Sequence, residues 1–155
     1  MTLIERYKEM YSYDNWVSRE LSEDEKYYPI LCDFSEMKEF VVEHCIAIKE
    51  CRGSYEIVLH YKSESDKKIK IRVIPFYSVK EANEYVIKQL TYITKCIPLV
   101  DENIDENRIV FGQYDSILIG RERNVFWSIQ SLGEEKSKIS NILDTVMQGI
   151  KCCKC

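Results

Sequence analysis

Length, composition and charge are those of an ordinary globular domain. The chain has 155 residues, of which 45% are hydrophobic and 31% charged, with five glycines, three prolines and a formal net charge of −4 at pH 7. These values exclude a collagen-like or low-complexity chain and give no reason to expect a polyanionic partner. We therefore predict a single domain over residues 1–155.

The sequence shows neither a membrane span nor a secretory signal. No apolar run approaches the ~20 residues that cross a bilayer, and residues 1–14 carry charges where a signal peptide is apolar. We therefore expect a cytoplasmic protein without a membrane partner. In that reducing compartment the seven cysteines are expected to be free thiols, since an odd number cannot all pair within one chain.

Residues 1–50 are predicted to form an N-terminal helical segment. Thr2 and Glu5 have the spacing of a capping box, and apolar residues follow at helical intervals. A second helix is predicted from near Ser35, because one helical stripe contains Met37, Phe40, Val41, His44, Cys45 and Ile48. Residues 44–49 also fit a strand, so this alternative stays open.

The period changes to two in residues 51–97, which we interpret as a first ββα unit. Residues 55–62 and 68–73 alternate apolar and polar side chains on either side of a turn-like SESDK, which is typical of a hairpin. Tyr55 and Tyr61 belong to the apolar set of this alternation, so both are predicted to face the core.

Each predicted hairpin is followed by a helical pattern. Ser78 and Glu81 form another capping box, and the helix that follows is predicted to end before Pro98. Residues 98–150 repeat the order as a second ββα unit, with strands on either side of RERN. Its helix has an apolar face made of Ile139, Ile142, Leu143, Val146, Met147 and Ile150.

These elements predict a two-layer α+β domain. An antiparallel sheet of about four to six strands, built from the two ββα units, would carry its helices on one face and follow one or two N-terminal helices. The other face would be solvated and polar. It would hold a basic strip composed of His60, Lys62, Lys68, Lys70 and Arg72.

The charges are unevenly distributed along the chain. Residues 1–43 contain eleven acidic and five basic residues, whereas residues 62–80 contain six basic and two acidic ones. The basic strip, with Phe76 and Tyr77 close by in sequence, keeps nucleic-acid binding as an alternative. Because the neighbouring strand tyrosines are predicted to face the core and the chain is acidic overall, nucleic acid is not the expected partner.

Aromatic and arginine side chains supply the candidate binding residues. Tyrosines and acids concentrate near the N-terminus, a mixture that suits a protein-binding surface, although these rings also fit the open end of the core. The candidates there are Tyr13, Trp16, Tyr27 and Tyr28. Arg121 and Arg123 lie at a predicted hairpin tip, where arginine can grip a carboxylate or phosphate. His60 and Arg72 complete the candidate set on the polar sheet face.

Catalytic signatures are missing from the sequence. The five glycines are scattered, so no phosphate-cradling loop is formed. The two histidines are His44, on the stripe predicted to face the core, and His60. We predict no catalytic residue and no cofactor.

The C-terminal residues 151–155 form a cysteine tail. Cys152, Cys153 and Cys155 are soft ligands for zinc or copper(I), but a closed zinc site needs four ligands. The final Cys-x-Cys also resembles the doubly prenylated ends of some small GTPases, although the phosphate loop of that family is absent. We predict no metal site and interpret the tail as free thiols beyond a helix that ends near Gly149.

The sequence therefore predicts a small non-catalytic module that binds another protein or regulates it. The basis is the tyrosine-rich acidic N-terminal region together with the missing catalytic signatures. A small-molecule-binding protein or enzyme with a pocket between sheet and helices is the alternative. Nucleic-acid binding through the basic sheet face is the second alternative.

Overall fold

The structure is a computed structural model that describes residues 21–32, 34, 37–47, 54–63, 66–92, 97–98, 108–113, 117–131 and 139–151. The predicted helix near Thr2 and the cysteines of the tail, at positions 152, 153 and 155, lie outside these residues. In chain order, the described elements are a 3₁₀ turn (Glu23–Glu25), β1 (Phe40–Ala47), β2 (Tyr55–Tyr61), β3 (Lys68–Pro75), α1 (Val79–Tyr92), β4 (Ile97–Pro98), β5 (Arg108–Gln113), β6 (Ile117–Glu122), β7 (Val125–Ser131) and α2 (Ile139–Lys151).

The described strands form one antiparallel sheet in the order β1-β2-β3-β7-β6-β5-β4. The predicted α+β class with an antiparallel sheet is therefore confirmed. Seven strands of this sheet lie in the described part of the chain, whereas about four to six were predicted, because β1 replaces part of a predicted helix and the two-residue strand β4 extends the far edge. Pairing of β3 with β7 joins the two halves of the chain.

The second predicted helix is wrong, because its central residues form β1. Phe40–Ala47 pairs antiparallel with β2, so the strand ladder satisfies backbone groups that a helix would have paired internally. Val41, Val42 and Ile46 are β-branched, which favours an extended chain over a helix. His44 is consequently exposed and not part of the core.

The main core lies on the face of the sheet that α2 covers, which we call the α2 face. Buried and half-buried residues alternate along β2 and along β3, as the sequence predicted, and Tyr55 and Tyr61 face this core. Trp127 of β7 is fully buried in the same cluster. Helix α2 contributes the buried side chains of Ile142, Val146, Met147 and Ile150.

Helix α1 lies on the opposite face of the sheet, so the prediction of both helices on one face is wrong. Consecutive residues of a strand point to opposite faces, and Phe126 therefore faces away from the Trp127 side. The Phe126 ring packs edge-on against Tyr85 of α1 with centroids 4.6 Å apart. Arg121, which is paired with Phe126 across the strands, donates a hydrogen bond from Nε to Oδ1 of Asn83 in α1 at 2.7 Å.

The first turn of α1 confirms the predicted capping pair. The backbone N–H of Glu81 donates to Ser78 Oγ at 3.1 Å, and the Glu81 carboxylate accepts from the backbone N–H of Tyr77 at 3.1 Å. Neither of the two helices in the described part of the chain is long and apolar enough to cross a membrane.

The two halves of the chain are not equivalent. Strands β2 and β3 followed by α1 keep the predicted order of hairpin and then helix. In the second half, three strands, β5 to β7, precede α2, so the order there differs from a simple hairpin and helix. Two matching ββα units are therefore not confirmed.

Candidate functional site

The structure separates the predicted binding residues into two groups. Tyr27, Tyr28, Arg121 and Arg123 lie around the turn between β6 and β7, whereas His60 and Arg72 lie on the sheet face opposite α2. The remaining candidates fall outside the described residues, namely Tyr13, Trp16, Cys152, Cys153 and Cys155.

The first group is organised by Asn124, which is fully buried in the turn between β6 and β7. Its side-chain carbonyl accepts from the backbone N–H of Tyr27 at 2.7 Å, and its amide donates to the backbone carbonyls of Tyr27 at 2.9 Å and Phe76 at 3.0 Å. The backbone N–H of Phe76 donates to the Asn124 carbonyl at 2.8 Å. Asn124 thus ties three chain segments together, and its role here is structural.

Arg121 and Arg123 have different environments. Arg121 is fully buried in β6, so the prediction that it lies at an accessible hairpin tip is corrected. Its guanidinium donates to the Arg123 carbonyl at 2.8 Å. Arg123 is in the turn at φ 50°, a left-handed conformation that costs a non-glycine residue about 1–3 kcal/mol. The Arg123 guanidinium lies 5.1 Å from the centre of the Tyr27 ring, a cation–π contact that helps to hold the turn.

A shallow open depression lies next to this turn. It is lined by Tyr28, Pro75, Phe76 and Tyr77 and has a volume of about 150 Å³. Pockets that bury a drug-sized molecule measure roughly 300–1,000 Å³. The buried Tyr28 donates a hydrogen bond from its hydroxyl to Glu23 at 2.8 Å. This depression is too small and open to enclose a substrate of that size.

The second group belongs to the polar face, which we define as the half-exposed surface of β2 and β3 on the side opposite α2. It carries Glu56, Val58, His60, Lys68, Lys70 and Arg72, placed in cross-strand pairs. Glu56 lies 3.6 Å from Lys70 and 3.5 Å from Arg72, and Arg72 also donates to the Tyr85 hydroxyl of α1 at 3.3 Å. The predicted basic strip is thus bridged by a carboxylate.

Glu43 of β1 supplies a second carboxylate to the same surface. Lys68 Nζ donates to Glu43 Oε1 at 2.7 Å, and this hydrogen bond with the positive charge lowers the pKa of Glu43 below its ordinary value. With Lys68, Lys70 and Arg72 all within reach of acids, the polar face is a mixed network. Its cations at positions 68, 70 and 72 are therefore interleaved with carboxylates.

Strand β1 is an edge strand of the described sheet, and it exposes apolar side chains. Val41 is 39% exposed, Val42 49% and Ile46 58%, and one edge of β1 faces away from its single described partner, β2. The pairing of β1 with β2 is irregular between Val42 and His44, where Glu43 is the extra residue. Charges and bulges are the usual protection of such edges, yet here three apolar side chains remain accessible.

A partly buried junction fixes the chain segment that precedes β1. The backbone N–H of Ile30 donates to the Gly149 carbonyl of α2 at 3.0 Å. Cys32 Sγ lies 2.8 Å from the Tyr55 hydroxyl, and a Cβ on Gly149 would be only 2.6 Å from this sulfur. Gly149 therefore lies within α2, where its lack of a side chain permits close packing against Cys32. The sequence predicted instead that the helix ends near this residue.

The Cys32 thiol shows no sign of catalytic activation. Burial raises the pKa of the Cys32 thiol, and burial together with Cys32 raises the pKa of the Tyr55 hydroxyl. Both groups are therefore neutral at physiological pH, and a neutral thiol is a poor nucleophile. Cys32 and Cys45 are free thiols. Among the described residues, no three His, Cys, Asp or Glu side chains are placed to hold a metal ion.

Sequence reasoning missed β1 as a candidate surface. The available signal was the β-branched content of FVVEHCIA, which contains three such residues in eight. The helical stripe through Met37, Val41 and His44 concealed this signal, because a short run of this kind matches both periods.

Comparisons with protein-family models, with curated proteins and with solved structures found no match to the chain.

Proposed function

We propose that the protein is a non-catalytic interaction module that binds an extended segment of another polypeptide by strand addition to β1. The observation that carries the proposal is the exposure of Val41, Val42 and Ile46 on an edge strand. An added strand would hydrogen-bond to the outer backbone groups of β1, which pair with no other strand in the described part of the chain, while alternate side chains contact the apolar ones. Affinity then comes from the main chain and selectivity from the side chains.

The two faces of β1 give an added strand different neighbours. Val41 is paired with His60 and Ile46 with Glu56, so both lie on the polar face. Val42 is paired with Leu59 and lies on the α2 face. We therefore expect a bound segment to place apolar residues on both faces and charged or hydrogen-bonding residues beside the Glu43–Lys68 pair.

Two observations favour this proposal over the alternatives. A polar pocket suited to a small molecule is not supported by the depression near Tyr28, because it is open and small. Nucleic-acid binding is not supported by the polar face, because Glu43 and Glu56 bridge its cations.

The proposal is tested by photo-crosslinking in the cells that make the protein. A photoreactive amino acid replaces Val42 in one variant and Glu84, an exposed residue of α1, in a matched control. Position 42 should crosslink to one main polypeptide, and peptide mapping should place the crosslink in a single short segment of it. Adding Val41→Lys and Ile46→Lys to the Val42 variant should abolish the product, because charges oppose strand addition.

Circular dichroism and thermal unfolding of the lysine variant check that its fold is intact. Equal crosslinking from positions 42 and 84, or a product that survives both lysines, would exclude strand addition to β1. Hydrogen exchange then provides a direct readout for the identified segment, because the amides of residues 40–47 should gain protection on binding.

A further inference from the structure

We infer that β1 binds β1 of a second copy of the chain, antiparallel, about a two-fold axis between Glu43 and His44. This inference rests on the proposed function, since it names one occupant of the same edge. It follows from the order of residues in β1, from the faces on which they lie and from the length of the strand.

The residue order of β1 is self-complementary. In an antiparallel pair centred between residues 43 and 44, Val41 lies opposite Ile46 of the second copy and Val42 lies opposite Cys45. Glu43 lies opposite His44, so a carboxylate meets an imidazole twice at the axis. Apolar residues thus face apolar or weakly polar ones, and the acid faces a hydrogen-bond donor.

The irregularity at Glu43 is what makes this pairing possible. Val41 and Ile46 are five positions apart and would lie on opposite faces of a regular strand. The shift in the pairing with β2 places Val41 beside His60 and Ile46 beside Glu56, so that both are on the polar face. Opposite residues must share a face in any sheet, and the bulge satisfies this condition for the pair 41 and 46.

The same condition holds for the inner pairs. Val42 is paired with Leu59 and Cys45 with Ile57, which places both on the α2 face. His44 is paired with Val58 on the polar face, and Glu43 reaches Lys68 on that face. Shifting the axis by half a residue, so that Val42 faces Ile46, puts these two side chains on opposite faces and removes the match.

The length of β1 sets the expected strength of this dimer. The strand has eight residues, whereas a stable interface of ordinary size uses roughly 20–30 residues from each partner. Two-fold pairing also buries the same patch on both copies, which closes the assembly at two. We therefore expect a weak, reversible dimer that grows with protein concentration.

The register is tested by disulfide trapping in the full chain. Val42→Cys places a thiol opposite Cys45 of the second copy, and directly opposed residues of an antiparallel pair are ~4.5–5.5 Å apart, within the range of a disulfide. Within one copy, three residues of extended chain span ~10 Å, which is too far for a bond between positions 42 and 45. The matched control is Val41→Cys, because position 41 faces Ile46 and not a cysteine.

Diamide is the oxidant, and it accepts the two electrons and two protons released when the disulfide forms. Peptide mapping measures the bond between positions 42 and 45 against that between positions 41 and 45. The first should form roughly tenfold faster or more, because the paired thiols are held in contact. Sedimentation velocity of the unmodified chain should show a reversible equilibrium between monomer and dimer. The double variant Val41→Lys with Ile46→Lys should show only the monomer.

The outcomes distinguish this inference from the proposed function. A chain that stays monomeric, or a dimer in which the two cysteine variants react equally, overturns the second-copy inference. If position 42 nevertheless crosslinks to a different polypeptide in cells, strand addition stands and its occupant is that protein. If position 42 crosslinks to nothing, both ideas fail.

Discussion

The centre of the sheet and its β1 edge differ in how deeply their apolar side chains are buried. Trp127 in β7 is fully buried between neighbouring strands and α2, whereas Val42 in β1 is 49% exposed although it lies on the same α2 face. Burial makes the centre responsible for stability. The edge is less buried, and its exposed apolar side chains are the ones that a partner is proposed to contact. The strand expected to matter most for stability is therefore different from the strand proposed to bind.

Substitution of the central tryptophan should have the largest effect. Trp127→Ala should lower the free energy of unfolding by about 3–5 kcal/mol, because it removes a large ring from a packed core. Val42→Ala should change it by no more than about 0.5 kcal/mol, as is usual for exposed positions. Urea unfolding followed by circular dichroism measures both, and similar losses would erase the distinction between centre and edge.

Loss of the buried asparagine should rank second. Asn124→Ala should cost roughly 2–4 kcal/mol, because backbone groups of Tyr27 and Phe76 lose their partners in a buried site. Asn141→Ala, at an exposed position of α2, is the matched control and should have little effect. If the two variants have the same unfolding midpoint, Asn124 does not hold the turn.

The close contact at Gly149 predicts whether a substitution there raises or lowers the free energy of unfolding. Gly149→Ala should destabilise the protein by about 1–3 kcal/mol, because the new methyl group would overlap Cys32 Sγ and press on the Ile30 carbonyl. Alanine in a helix normally stabilises by roughly 1 kcal/mol relative to glycine. Thermal unfolding that shows stabilisation would therefore mean that the contact is absent. Adding Cys32→Ala should restore part of the loss.

The smallest expected effect concerns the ion pair that flanks the edge. Lys68→Met should raise the pKa of Glu43 toward its ordinary value, because the hydrogen bond and positive charge that lower it are removed. The folded-state pKa of Glu43 is below the unfolded-state value, so the pair stabilises the fold above the unfolded-state pKa. This contribution is lost as pH falls through the folded-state pKa.

Carboxyl NMR titration of Glu43 in both proteins makes the measurement, with Lys80→Met, on the exposed surface of α1, as a control. An unchanged Glu43 titration in Lys68→Met would show that the two side chains do not interact in solution.

Local pattern was sufficient for much of the fold. The alternation in β2 and β3, the capping pair at Ser78 and Glu81, and the apolar stripe of α2 each depend on neighbours a few residues away. Such signals can be recognised in the sequence because the apolar residues of a helix or strand must recur with the period of that element to face the core. The buried orientation of Tyr55 and Tyr61 followed from the same alternation.

The candidate sites depended on contacts that local pattern does not contain. From the sequence, Arg121 is predicted to lie at a hairpin tip. In the fold it is buried and hydrogen-bonded to Asn83, which is 38 residues away in sequence. Lys70 and Arg72 read as a basic strip until β2 places Glu56 beside them. In each case a partner distant in sequence binds the charged side chain and so changes which ligands it could contact.

By itself, the sequence determined the α+β class, the paired strands β2 and β3 and the two described helices, because hydrophobic period and capping act over short distances. The tertiary structure decided that residues 40–47 form an edge strand and that the helices lie on opposite faces. It also decided that the bulge at Glu43 places Val41 and Ile46 on one face. Those features depend on which strand pairs with which and in what register, and a long-range hydrogen-bond ladder fixes both.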